Sequence, residues 1–481
     1  MRLKDLLAGI RTLSCTAELS REITGVSTDS QKIQPGNVFI AVAGTQTDGK
    51  RYIAQAMAQG ACCVVCGEIP PIDMPYVLVR SVRRAMALMA RNYYGNPASG
   101  MTLVGVTGTN GKTTTTYLIK HILASALHTK VGLIGTIQNM VDQRAEDAVR
   151  TTPDAWQLHK LLRAMADEGC THVVMEVSSH ALALDRVYGL HFAVGVFTNL
   201  TQDHLDFHDD MADYCAAKAQ LFAQCDAAVY NADDPWHKQI LRIAPFTRLP
   251  YGLCGPATLQ AQNILVNAQG IAYTAVTEEE TAEINIPIPG IFTVYNTLAA
   301  LCACEHLDIS LRKGAQALRE YRGVKGRMEI VPTPDKDYTV IIDYAHTPDA
   351  LENVLSAVKG FAKGRTVAVF GCGGDRDRSK RPQMGTIAAE KADFVVVTDD
   401  NPRTEKPQAI RADIIAGIPE TADYKEIAGR EKAICYALDH AETDDVIVLC
   451  GKGHETYQEI GHEKHHLDER EIVADYLRNN K

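Results

Sequence analysis

The stretch that decides the fold runs from Val104 to Thr114 and reads VGVTGTNGKTT. The apolar run immediately before its glycines, Met101 to Val106, is typical of a buried strand. After it, the apolar residues of Tyr117 to Leu127 recur on one helical face. The glycines therefore occupy a predicted turn between a strand and a helix, which is where a phosphate group would bind.

Each part of this turn contributes to anion binding. Glycines let backbone N–H groups approach an anion, and the helix N-terminus adds its positive end. Lys112 supplies a point charge, and the Thr113 hydroxyl can reach a magnesium ion. The residue five before Gly111 is Val106 rather than glycine, so the loop is shorter than the common form. An ordinary glycine turn with a solvated lysine is the alternative. The predicted phosphate contacts are Gly108, Thr109, Asn110, Gly111, Lys112, Thr113 and Thr114.

Length and charge narrow the class of protein. A chain of 481 residues predicts about three domains, because single cores stop growing near roughly 250–300 residues. The net charge of -10 argues against a nucleic-acid coat or a binder of anionic membranes. No apolar run approaches the roughly 20 residues of a spanning helix. The N-terminus, MRLKDLLAGIRTL, is predicted to be an amphipathic helix without the uninterrupted apolar core of a signal peptide. We expect a cytoplasmic protein without membrane insertion.

The thirteen cysteines raise the question of a metal site. Cys62, Cys63 and Cys66 lie in one apolar segment, and Cys302 and Cys304 lie in another. Neither group is joined by a second cluster that would complete a tetrahedral site. We therefore expect reduced, mostly buried thiols.

The predicted fold class is α/β with three domains: residues 1–98, 99–328 and 329–481. A breaker cluster at residues 95–100 marks the first boundary. Strands alternate with helices after the phosphate loop, which predicts a P-loop-type, mainly parallel sheet. They alternate again in the third domain, which is predicted to be Rossmann-like.

Gly371 to Gly374 resembles a dinucleotide turn, but no helix follows directly, so we discount a nicotinamide site. Residues 462–466 are expected to form a surface loop.

Active groups should lie at the carboxyl ends of the parallel strands. Glu176 and the segment Ser178 to His180 end one predicted strand, and Asn199 to His208 follows the next. The polar character of both segments makes them candidates for the chemistry.

Six motifs together carry a resemblance to a known family. They are GTNGKTT (108–114), MEVSSH (175–180), NLTQDHLDFH (199–208), YNTLAA (295–300), GRME (326–329) and DYAHTPDAL (343–351). In this order they strongly resemble the motifs of the Mur ligases. The resemblance runs from Thr28 to the C-terminus.

The resemblance implies an ATP-dependent amide ligase of peptidoglycan precursor synthesis. In such ligases a substrate carboxylate attacks the γ-phosphate, and an amine then displaces phosphate from the acyl phosphate. Bringing a carboxylate to a triphosphate opposes like charges, so cations must neutralise the transferring group. By position, the implied catalytic residues are Lys112, Glu176, His204 and Lys218, and the implied Mg²⁺ set is Thr113, Glu176, His204 and Lys218. In this family the corresponding lysine is carbamylated, which would make Lys218 a carboxylate-like N6-carboxylysine.

From the residues alone, these positions also have ordinary interpretations. Glu176 could cap the following helix, and His204 could be a hydrogen-bonded surface imidazole beside Asp203. Lys218 could be a solvated helix lysine, because lysines almost always stay in water.

Similarity also implies the remaining binding residues. Further ATP contacts would be Asn296, Arg327, Asp343 and His346. The uridine and diphosphate of the substrate UDP-MurNAc-L-Ala-D-Glu would be held by Thr28, Ser30, Thr45, Gln46 and Thr47, and its sugar-peptide part by Thr151, Thr152, Ser178 and Arg186. Hydroxyl-rich triplets of this kind are otherwise common as helix caps. An ATP site shared between two domains implies that the third domain closes to exclude water.

The resemblance is strongest to the members that add meso-diaminopimelate, whose sequences share the DNPR motif found here at 400–403. The distal end of that amino acid carries a carboxylate that lysine lacks, and a guanidinium recognises it through two hydrogen bonds. Arg403 is therefore the predicted discriminating residue; the alternative is a surface arginine at a helix start. The implied diaminopimelate set is Arg376, Asp400, Asn401, Arg403, Gly451 and Glu455, with Glu455 facing the distal ammonium.

Other functions are weighed against this one. A lysine-adding ligase or a folylpolyglutamate synthetase would lack Arg403 or the uridine motifs. A catalytically silent nucleotide-binding scaffold would be expected to lose Glu176, His204 or Lys218, and a motor or transporter ATPase is disfavoured by the missing second nucleotide motif. We expect the protein to act as a monomer.

Overall fold

The computed structural model describes residues 1–44, 48–205, 207–245 and 247–479. Within these ranges the chain forms three large sheets and one two-stranded sheet, each of the large ones accompanied by helices. The predicted α/β class is confirmed. The predicted contacts Thr45, Gln46 and Thr47 lie outside the described residues.

The first sheet has five strands in the order β1-β5-β4-β3-β2. Its core strand β4 is a run of valines and cysteines that is buried on both faces, as expected where a parallel strand has neighbours on both sides. The strands are β1 (Thr12–Cys15), β2 (Gly25–Ser27), β3 (Asn37–Ile40), β4 (Cys63–Cys66) and β5 (Tyr76–Val79), and the helices are α1 (Leu3–Leu6), α2 (Ile53–Ala58) and α3 (Val82–Tyr93).

The second sheet has eleven strands in the order β16-β15-β14-β13-β12-β11-β6-β10-β7-β8-β9. Strand β6 lies between β10 and β11, and all three run parallel. The loops that follow them therefore meet at one edge of the sheet. The strands are β6 (Thr102–Thr107), β7 (Val131–Ile134), β8 (Gln138–Val141), β9 (Arg144–Asp147), β10 (His172–Glu176), β11 (Phe192–Phe197), β12 (Cys225–Asn231), β13 (Thr247–Gly252), β14 (Leu259–Asn267), β15 (Gly270–Val276) and β16 (Thr281–Ile286).

The two ends of this sheet are antiparallel. Strands β14, β15 and β16 form a meander at one end, and β7, β8 and β9 form another at the opposite end. Neither meander was predicted from the sequence. The sheet is therefore mixed at its ends, but it is parallel from β7 through β10, β6, β11, β12 and β13 to β14, as predicted for its central part.

The helices of the second unit cover the parallel strands. Helix α4 begins immediately after the phosphate loop and packs against α9, whose apolar residues are buried almost throughout. A helix with no polar stripe must lie inside the core. Helix α9 is such a helix, and its packing against α4 holds α4 in place. The helices are α4 (Lys112–Leu127), α5 (Ala155–Asp167), α6 (Ser179–Ala183), α7 (Met211–Ala219), α8 (His237–Ile240), α9 (Ile291–His306) and α10 (Leu311–Leu318).

The third sheet has six strands in the order β17-β18-β22-β19-β20-β21, parallel except for the first pair. A two-stranded antiparallel sheet, β23 with β24, follows it. The strands are β17 (Glu329–Val331), β18 (Thr339–Asp343), β19 (Thr366–Phe370), β20 (Phe394–Val397), β21 (Tyr424–Glu426), β22 (Val446–Cys450), β23 (Tyr457–Ile460) and β24 (Glu463–His466), and the helices are α11 (Pro348–Lys359), α12 (Lys380–Lys391), α13 (Pro407–Ile415), α14 (Arg430–Asp439) and α15 (Glu469–Asn479).

Two predictions about local structure were wrong. Residues 463–466 form the strand β24 rather than a surface loop, although the strand is exposed as expected. The N-terminal amphipathic helix is only the single turn α1, and Thr12–Cys15 is a strand. Both cases involve short segments in which pairing with a neighbouring strand overrides local pattern.

Two further predictions can be compared directly with the structure. Every cysteine is a free thiol, and most are buried, as expected. No helix within the described residues is both long and apolar enough to cross a membrane.

Candidate active site

The phosphate loop follows β6 and depends on two glycines. Gly108 has a φ of 149°, and a Cβ atom there would lie 1.9 Å from Thr198 Oγ1. Gly111 has a φ of 83°, and a Cβ atom there would lie 2.4 Å from Asn296 Oδ1. Both positions therefore require glycine. Helix α4 begins at Lys112, so its first turn holds the N–H groups that bind an anion.

Two lysines converge on one carbonyl group of this loop. Lys112 Nζ donates hydrogen bonds to Gly108 O at 2.9 Å and to Thr109 O at 2.6 Å. Lys218 Nζ, from α7, donates to the same Gly108 oxygen at 2.7 Å. Lys218 is 1% exposed, so the interpretation as a solvated helix lysine is wrong.

Burial changes the chemistry of Lys218. It lowers the pKa of this amine well below the ordinary lysine value, and the positive charge of Lys112 lowers it further. Burial also lowers the pKa of Lys112, against the opposing effect of Glu176. The ring centroid of Tyr214 lies 4.4 Å from Lys218 Nζ. A buried amine of lowered pKa spends more time neutral, and only the neutral form is nucleophilic.

Glu176 ends strand β10 and is 1% exposed. Thr113 Oγ1 donates to its carboxylate at 3.0 Å. Thr136 donates to it twice, through its backbone N–H at 2.8 Å and its hydroxyl at 3.0 Å. The helix that follows, α6, is capped by Ser178, whose hydroxyl accepts from Ala181 N. Glu176 is therefore not the cap, and its carboxylate lies against the first turn of α4.

Oxygen donors at this point suit a magnesium ion. Thr113 and Glu176 bring a hydroxyl and a carboxylate together, which are the donor types that Mg²⁺ prefers. Among the described residues, no group of three His, Cys, Asp or Glu side chains is arranged to hold a metal. A metal here would therefore draw its other ligands from phosphate, water or a modified Lys218. The donor chemistry fits Mg²⁺ bound through few protein ligands.

His204 lies in the loop after β11 with a left-handed backbone, φ 56°. Its Nε2 is 3.4 Å from Asp203 Oδ2, and its ring centroid is 4.8 Å from that of His180. The side chain is 41% exposed. Both interpretations of His204, as a metal-site residue and as a surface imidazole beside Asp203, fit this placement.

Two of the predicted nucleotide residues touch the phosphate loop and the start of α4. Asn296 Oδ1 accepts from Thr115 Oγ1 at 3.4 Å, and a Cβ on Gly111 would meet it. Arg327 Nη2 is 3.5 Å from Thr113 Oγ1. Chain segments that are far apart in the sequence therefore meet at the loop.

The other two predicted nucleotide residues lie at the end of β18, of which Asp343 is the last residue, and just after it. Asp343 accepts hydrogen bonds from the backbone N–H groups of Met328 and Ala345 at 2.8 Å. Burial raises its pKa. His346 Nδ1 lies 2.8 Å from Tyr344 O, and burial lowers the pKa of this imidazole. Asp343 is thus fixed by the same backbone turn that carries Arg327.

The residues assigned to the sugar-peptide part of the substrate form one network. Thr152 Oγ1 donates to Glu176 O at 2.8 Å and accepts from Ser178 N at 3.1 Å. Arg186 Nη1 donates to Thr152 O at 2.8 Å. Thr151 Oγ1 accepts from Thr136 Oγ1 at 3.1 Å. Four predicted residues therefore adjoin the predicted metal site.

Thr28 and Ser30 are the residues predicted to hold the uridine and diphosphate that lie within the described part of the chain. Both follow strand β2 of the first sheet. Thr28 is exposed, whereas Ser30 is buried and donates to Gln55 Oε1 at 3.1 Å. No contact joins them to the network around Glu176 within the described part of the chain, so their assignment stays a prediction.

Arg403 lies against the β23–β24 sheet rather than at a helix start. Its backbone is left-handed, φ 49°, and it forms a bridge with Ile460. Its Nε donates to Glu459 Oε2 at 2.8 Å, and Nη1 donates to Gly374 O at 2.9 Å. The side chain is 19% exposed. The guanidinium is therefore held in place while part of it remains accessible.

The predicted diaminopimelate residues, which we call the acceptor pocket, are only partly joined by direct contacts in the structure. Asn401 Nδ2 donates to Glu455 Oε2 at 2.9 Å. A Cβ on Gly451 would lie 2.7 Å from Asp400 Oδ2, so this position requires a residue without a side chain. Arg376 is exposed on the loop after β19, and its Nη1 donates to Asp375 O at 3.1 Å.

Sequence reasoning missed several residues of these networks. Thr136, directly after the end of β7, links Glu176 to Thr151, and its place at a strand end was the available signal. Asp349 lies inside the DYAHTPDAL motif and Lys452 lies between the predicted residues Gly451 and Glu455, and neither was given a role. Glu459 lies in a polar segment with no motif, so nothing in the sequence marks it as the partner of Arg403.

Comparison with known proteins identifies the family. Residues 22–94 match the description "Mur ligase family, catalytic domain", residues 106–304 match "Mur ligase middle domain", and residues 326–453 match "Mur ligase, glutamate ligase domain". The chain belongs to the Mur ligase family. The resemblance inferred from the motifs is confirmed.

Individual Mur ligases match over their whole length. The chain is 46% identical over 483 residues to the UDP-N-acetylmuramoyl-L-alanyl-D-glutamate--2,6-diaminopimelate ligase of Caldanaerobacter subterraneus subsp. tengcongensis, covering 99% of both chains. A Mur ligase of the same name from Gloeobacter violaceus is 46% identical over 485 residues, with 99% of this chain and 98% of that one covered. A solved structure of that name superposes with a TM-score of 0.72 at 32% identity, covering 100% of this chain and 99% of the other.

Proposed function

We propose that this Mur ligase couples ATP cleavage to the addition of meso-diaminopimelate to UDP-N-acetylmuramoyl-L-alanyl-D-glutamate. One observation carries the proposal: the chain matches, over 99% of its length, a relative named for this reaction. The presence of both the phosphate loop and the Arg403 and Glu455 pocket supports it. The reaction forms an amide bond in a precursor of peptidoglycan.

The first half of the reaction takes place at the phosphate loop. The D-glutamyl carboxylate of the substrate attacks the γ-phosphate of ATP, which gives an acyl phosphate and ADP. Lys112 and the α4 N-terminus bind the phosphates, and Thr151, Thr152 and Arg186 orient the sugar-peptide part. Thr113 and Glu176 would be among the residues that hold Mg²⁺, which when bound would neutralise charge on the transferring phosphoryl group.

Lys218 supports this step as a carbamate in the proposal. Its neutral amine adds to carbon dioxide, forming an N–C bond and releasing one proton, so that a neutral amine becomes an anionic oxygen donor. The environment favours this change, because Lys218 is fully buried beside the cation Lys112. A carbamate at position 218 attracts the Lys112 ammonium, whereas a second ammonium there would repel it.

The second half of the reaction uses the third sheet. The amine of the incoming amino acid attacks the acyl phosphate through a tetrahedral intermediate and releases phosphate. Arg403 binds the distal carboxylate of meso-diaminopimelate, and Glu455 binds its distal ammonium. Lysine lacks that carboxylate, so in a closed site it would leave unpaired the part of the Arg403 guanidinium that Glu459 and Gly374 do not occupy.

The alternative functions are less well supported. Each residue whose loss would indicate a silent homologue, namely Glu176, His204 and Lys218, is present. In a lysine-adding ligase the accessible part of the Arg403 guanidinium would have no distal carboxylate to bind. The match over the N-terminal region, residues 22–94, argues against a folylpolyglutamate synthetase.

The experiment that tests the proposal is phosphate release by purified protein with ATP, Mg²⁺ and UDP-MurNAc-L-Ala-D-Glu. Meso-diaminopimelate and L-lysine are compared in parallel, and the product is identified by mass. We expect release and a tripeptide product with diaminopimelate only. Equal use of lysine would contradict the role of Arg403, and inactivity with both would favour a silent homologue.

We further propose a monomeric, cytoplasmic enzyme with domain limits at 1–98, 99–328 and 329–481. Separate sheets in the three segments support these limits. Light scattering of the full chain tests the monomer, with a mass near 52.5 kDa expected. Limited proteolysis tests the limits, with the first cuts expected near residues 98 and 328.

A further inference from the structure

Lys452 is a buried cation in the acceptor pocket that has no role in the proposed reaction. It follows β22 and is 1% exposed. Its Nζ donates to Asn401 Oδ1 at 2.8 Å and to Glu455 Oε2 at 2.7 Å. A lysine is almost never fully buried unless it is paired, and both of its partners belong to the predicted diaminopimelate set.

The hydrogen bonds of Lys452 determine which part of Glu455 is available. Glu455 Oε2 accepts from Lys452 Nζ and also from Asn401 Nδ2, at 2.9 Å. Among the residues that the structure describes, no hydrogen bond reaches Oε1. Lys452 and Asn401 thus fix the carboxylate through one oxygen and leave the other for a ligand.

The same network reaches Arg403. Asn401 Oδ1, which accepts from Lys452, also accepts from Glu459 N at 2.9 Å. Glu459 Oε2 in turn accepts from Arg403 Nε at 2.8 Å. Lys452 is therefore connected to both charged groups that would meet the distal end of the amino acid.

The charges in this network balance. Arg403 is paired with Glu459, and Lys452 is paired with Glu455, so the four side chains carry no net charge. The distal end of diaminopimelate, with one carboxylate and one ammonium, is also neutral and suits such a pocket. The distal end of lysine carries one positive charge and would leave that charge uncompensated.

We propose that Lys452 is a specificity-determining positioning residue for the acceptor amino acid. It holds Glu455 in place and offsets its charge, so that the pocket accepts a neutral distal end in preference to a cationic one. The proposal rests on the proposed function. Without Lys452 the pocket carries one net negative charge, which favours a cationic acceptor such as lysine.

The test is Lys452→Met in the full-length chain, with kcat and KM measured for meso-diaminopimelate, L-lysine and ATP. We expect the KM for diaminopimelate to rise about tenfold, and kcat to change by less than about threefold. The ratio of kcat/KM for diaminopimelate to that for lysine should fall at least about tenfold. The KM for ATP should stay within about twofold, because Lys452 does not contact the phosphate loop.

Lys464→Met is the matched control. Lys464 lies over the same Tyr457 ring as Lys452, at 3.8 Å, but it is exposed on β24. This variant should leave the amino-acid preference unchanged. An equal change in both variants would overturn the proposal, because it would show an effect of general charge.

A double-mutant cycle with Glu455→Gln tests whether Lys452 acts through Glu455. The double variant Lys452→Met/Glu455→Gln contains no unpaired buried charge, so it serves even if Lys452→Met alone does not fold. We expect its preference to lie within about twofold of that of Glu455→Gln, since coupled losses do not multiply. Full multiplication of the two losses would overturn the proposal.

The wild-type chain in the same assay separates the two claims. Absence of wild-type product with diaminopimelate would overturn the proposed function and this inference with it. Wild-type product combined with unchanged selectivity in Lys452→Met would overturn the inference alone. A proportional rise in the KM for ATP and for diaminopimelate would assign Lys452 a general structural role and overturn it as well.

Discussion

At the scale of single residues, burial decides what Lys218 can do. Its amine shares the Gly108 carbonyl oxygen with Lys112, and burial holds its pKa well below the ordinary value. An exposed lysine of the same sequence would be a charged surface group. The same residue in the core has a lowered pKa, and the proposed carbamate requires the neutral amine that this favours.

Lys218→Ala should therefore remove an anionic group from the active site. We expect kcat to fall by about two to three orders of magnitude, the size of loss seen for a transition-state electrostatic contact. A short-chain carboxylate such as acetate should restore part of the activity by binding in the vacated space. The measurement is phosphate release with and without the carboxylate.

The control for this experiment is Lys238→Ala, which removes an exposed lysine of α8. It should keep wild-type turnover and show no response to acetate. Full activity of Lys218→Ala, or equal stimulation of both variants by acetate, would contradict the carbamate.

Arg403→Ala should affect one substrate only. The kcat/KM for meso-diaminopimelate should fall by about 10- to 200-fold, while the KM for ATP should change by less than about twofold. Arg378→Ala is a suitable control, because Arg378 is exposed on the neighbouring loop and pairs with Asp413. Equal weakening of ATP and amino-acid binding would assign Arg403 a structural role.

Site residues that lie inside a motif could be predicted from the sequence, but the residues with which they form hydrogen bonds could not. The positions of Lys112, Thr113 and Glu176 at strand and helix ends follow from local pattern. The contact of Arg403 with Glu459 joins the loop after β20 to strand β23, and no periodicity encodes such a pairing. The burial of Lys218 could not be read from α7, whose sequence is only weakly amphipathic.

At the scale of secondary-structure elements, the sequence predicted parallel strands better than antiparallel ones. Continuous apolar runs such as Val104–Val106 are typical of strands buried on both faces. Strand β24 is polar and exposed, and β23 is largely polar and partly buried, so neither shows the alternation by which a half-buried strand is recognised. Arg403 also exchanges backbone hydrogen bonds with Glu459 and Gly461, a contact that local pattern does not encode.

Helix α5 contains a buried histidine that links stability to pH. His159 is 1% exposed, its Nδ1 has no hydrogen-bond partner within the described residues, and burial lowers its pKa to about 4, with a further contribution from Arg91. The folded state therefore keeps His159 neutral, while the unfolded state takes up a proton below its ordinary pKa. The free energy of unfolding should therefore be unaffected by His159 above about pH 6.5, and it should decrease as the pH drops from there toward 4.

His159→Phe should reduce this acid sensitivity. We expect the melting temperature of the variant to fall less than that of the wild type between pH 7 and pH 5, because one fewer proton is taken up on unfolding. The measurement is thermal unfolding at both pH values. His462→Gln, an exposed substitution between β23 and β24, should behave as wild type, and an unchanged slope in His159→Phe would contradict the argument.

At the scale of the whole molecule, Asp349 joins the third sheet to the phosphate loop. It lies in the first turn of α11, and its Oδ2 accepts from Asn110 Nδ2 at 2.7 Å and from Thr201 Oγ1 at 3.0 Å. These hydrogen bonds connect residues more than a hundred positions apart. They hold the part of the chain that carries Asp343 and His346 against the nucleotide site.

Asp349→Ala should weaken this closed arrangement. Loss of two hydrogen bonds to a carboxylate is expected to lower kcat/KM about tenfold. It should also increase the radius of gyration in the presence of a non-hydrolysable ATP analogue, as measured by small-angle X-ray scattering. Asp335→Ala, in an exposed turn, is the control. Wild-type scattering and kinetics in Asp349→Ala would show that these contacts do not hold the units together.

The strand order of the eleven-stranded sheet has a consequence for biosynthesis. Strand β6 pairs with β10 and β11, and α4 packs on α9, so the phosphate loop needs partners that leave the ribosome much later than the loop itself. Contacts this distant in sequence form slowly. A nascent chain therefore cannot complete its nucleotide site until synthesis has passed α9 at His306. The enzyme is thereby kept from using ATP before most of its chain is made.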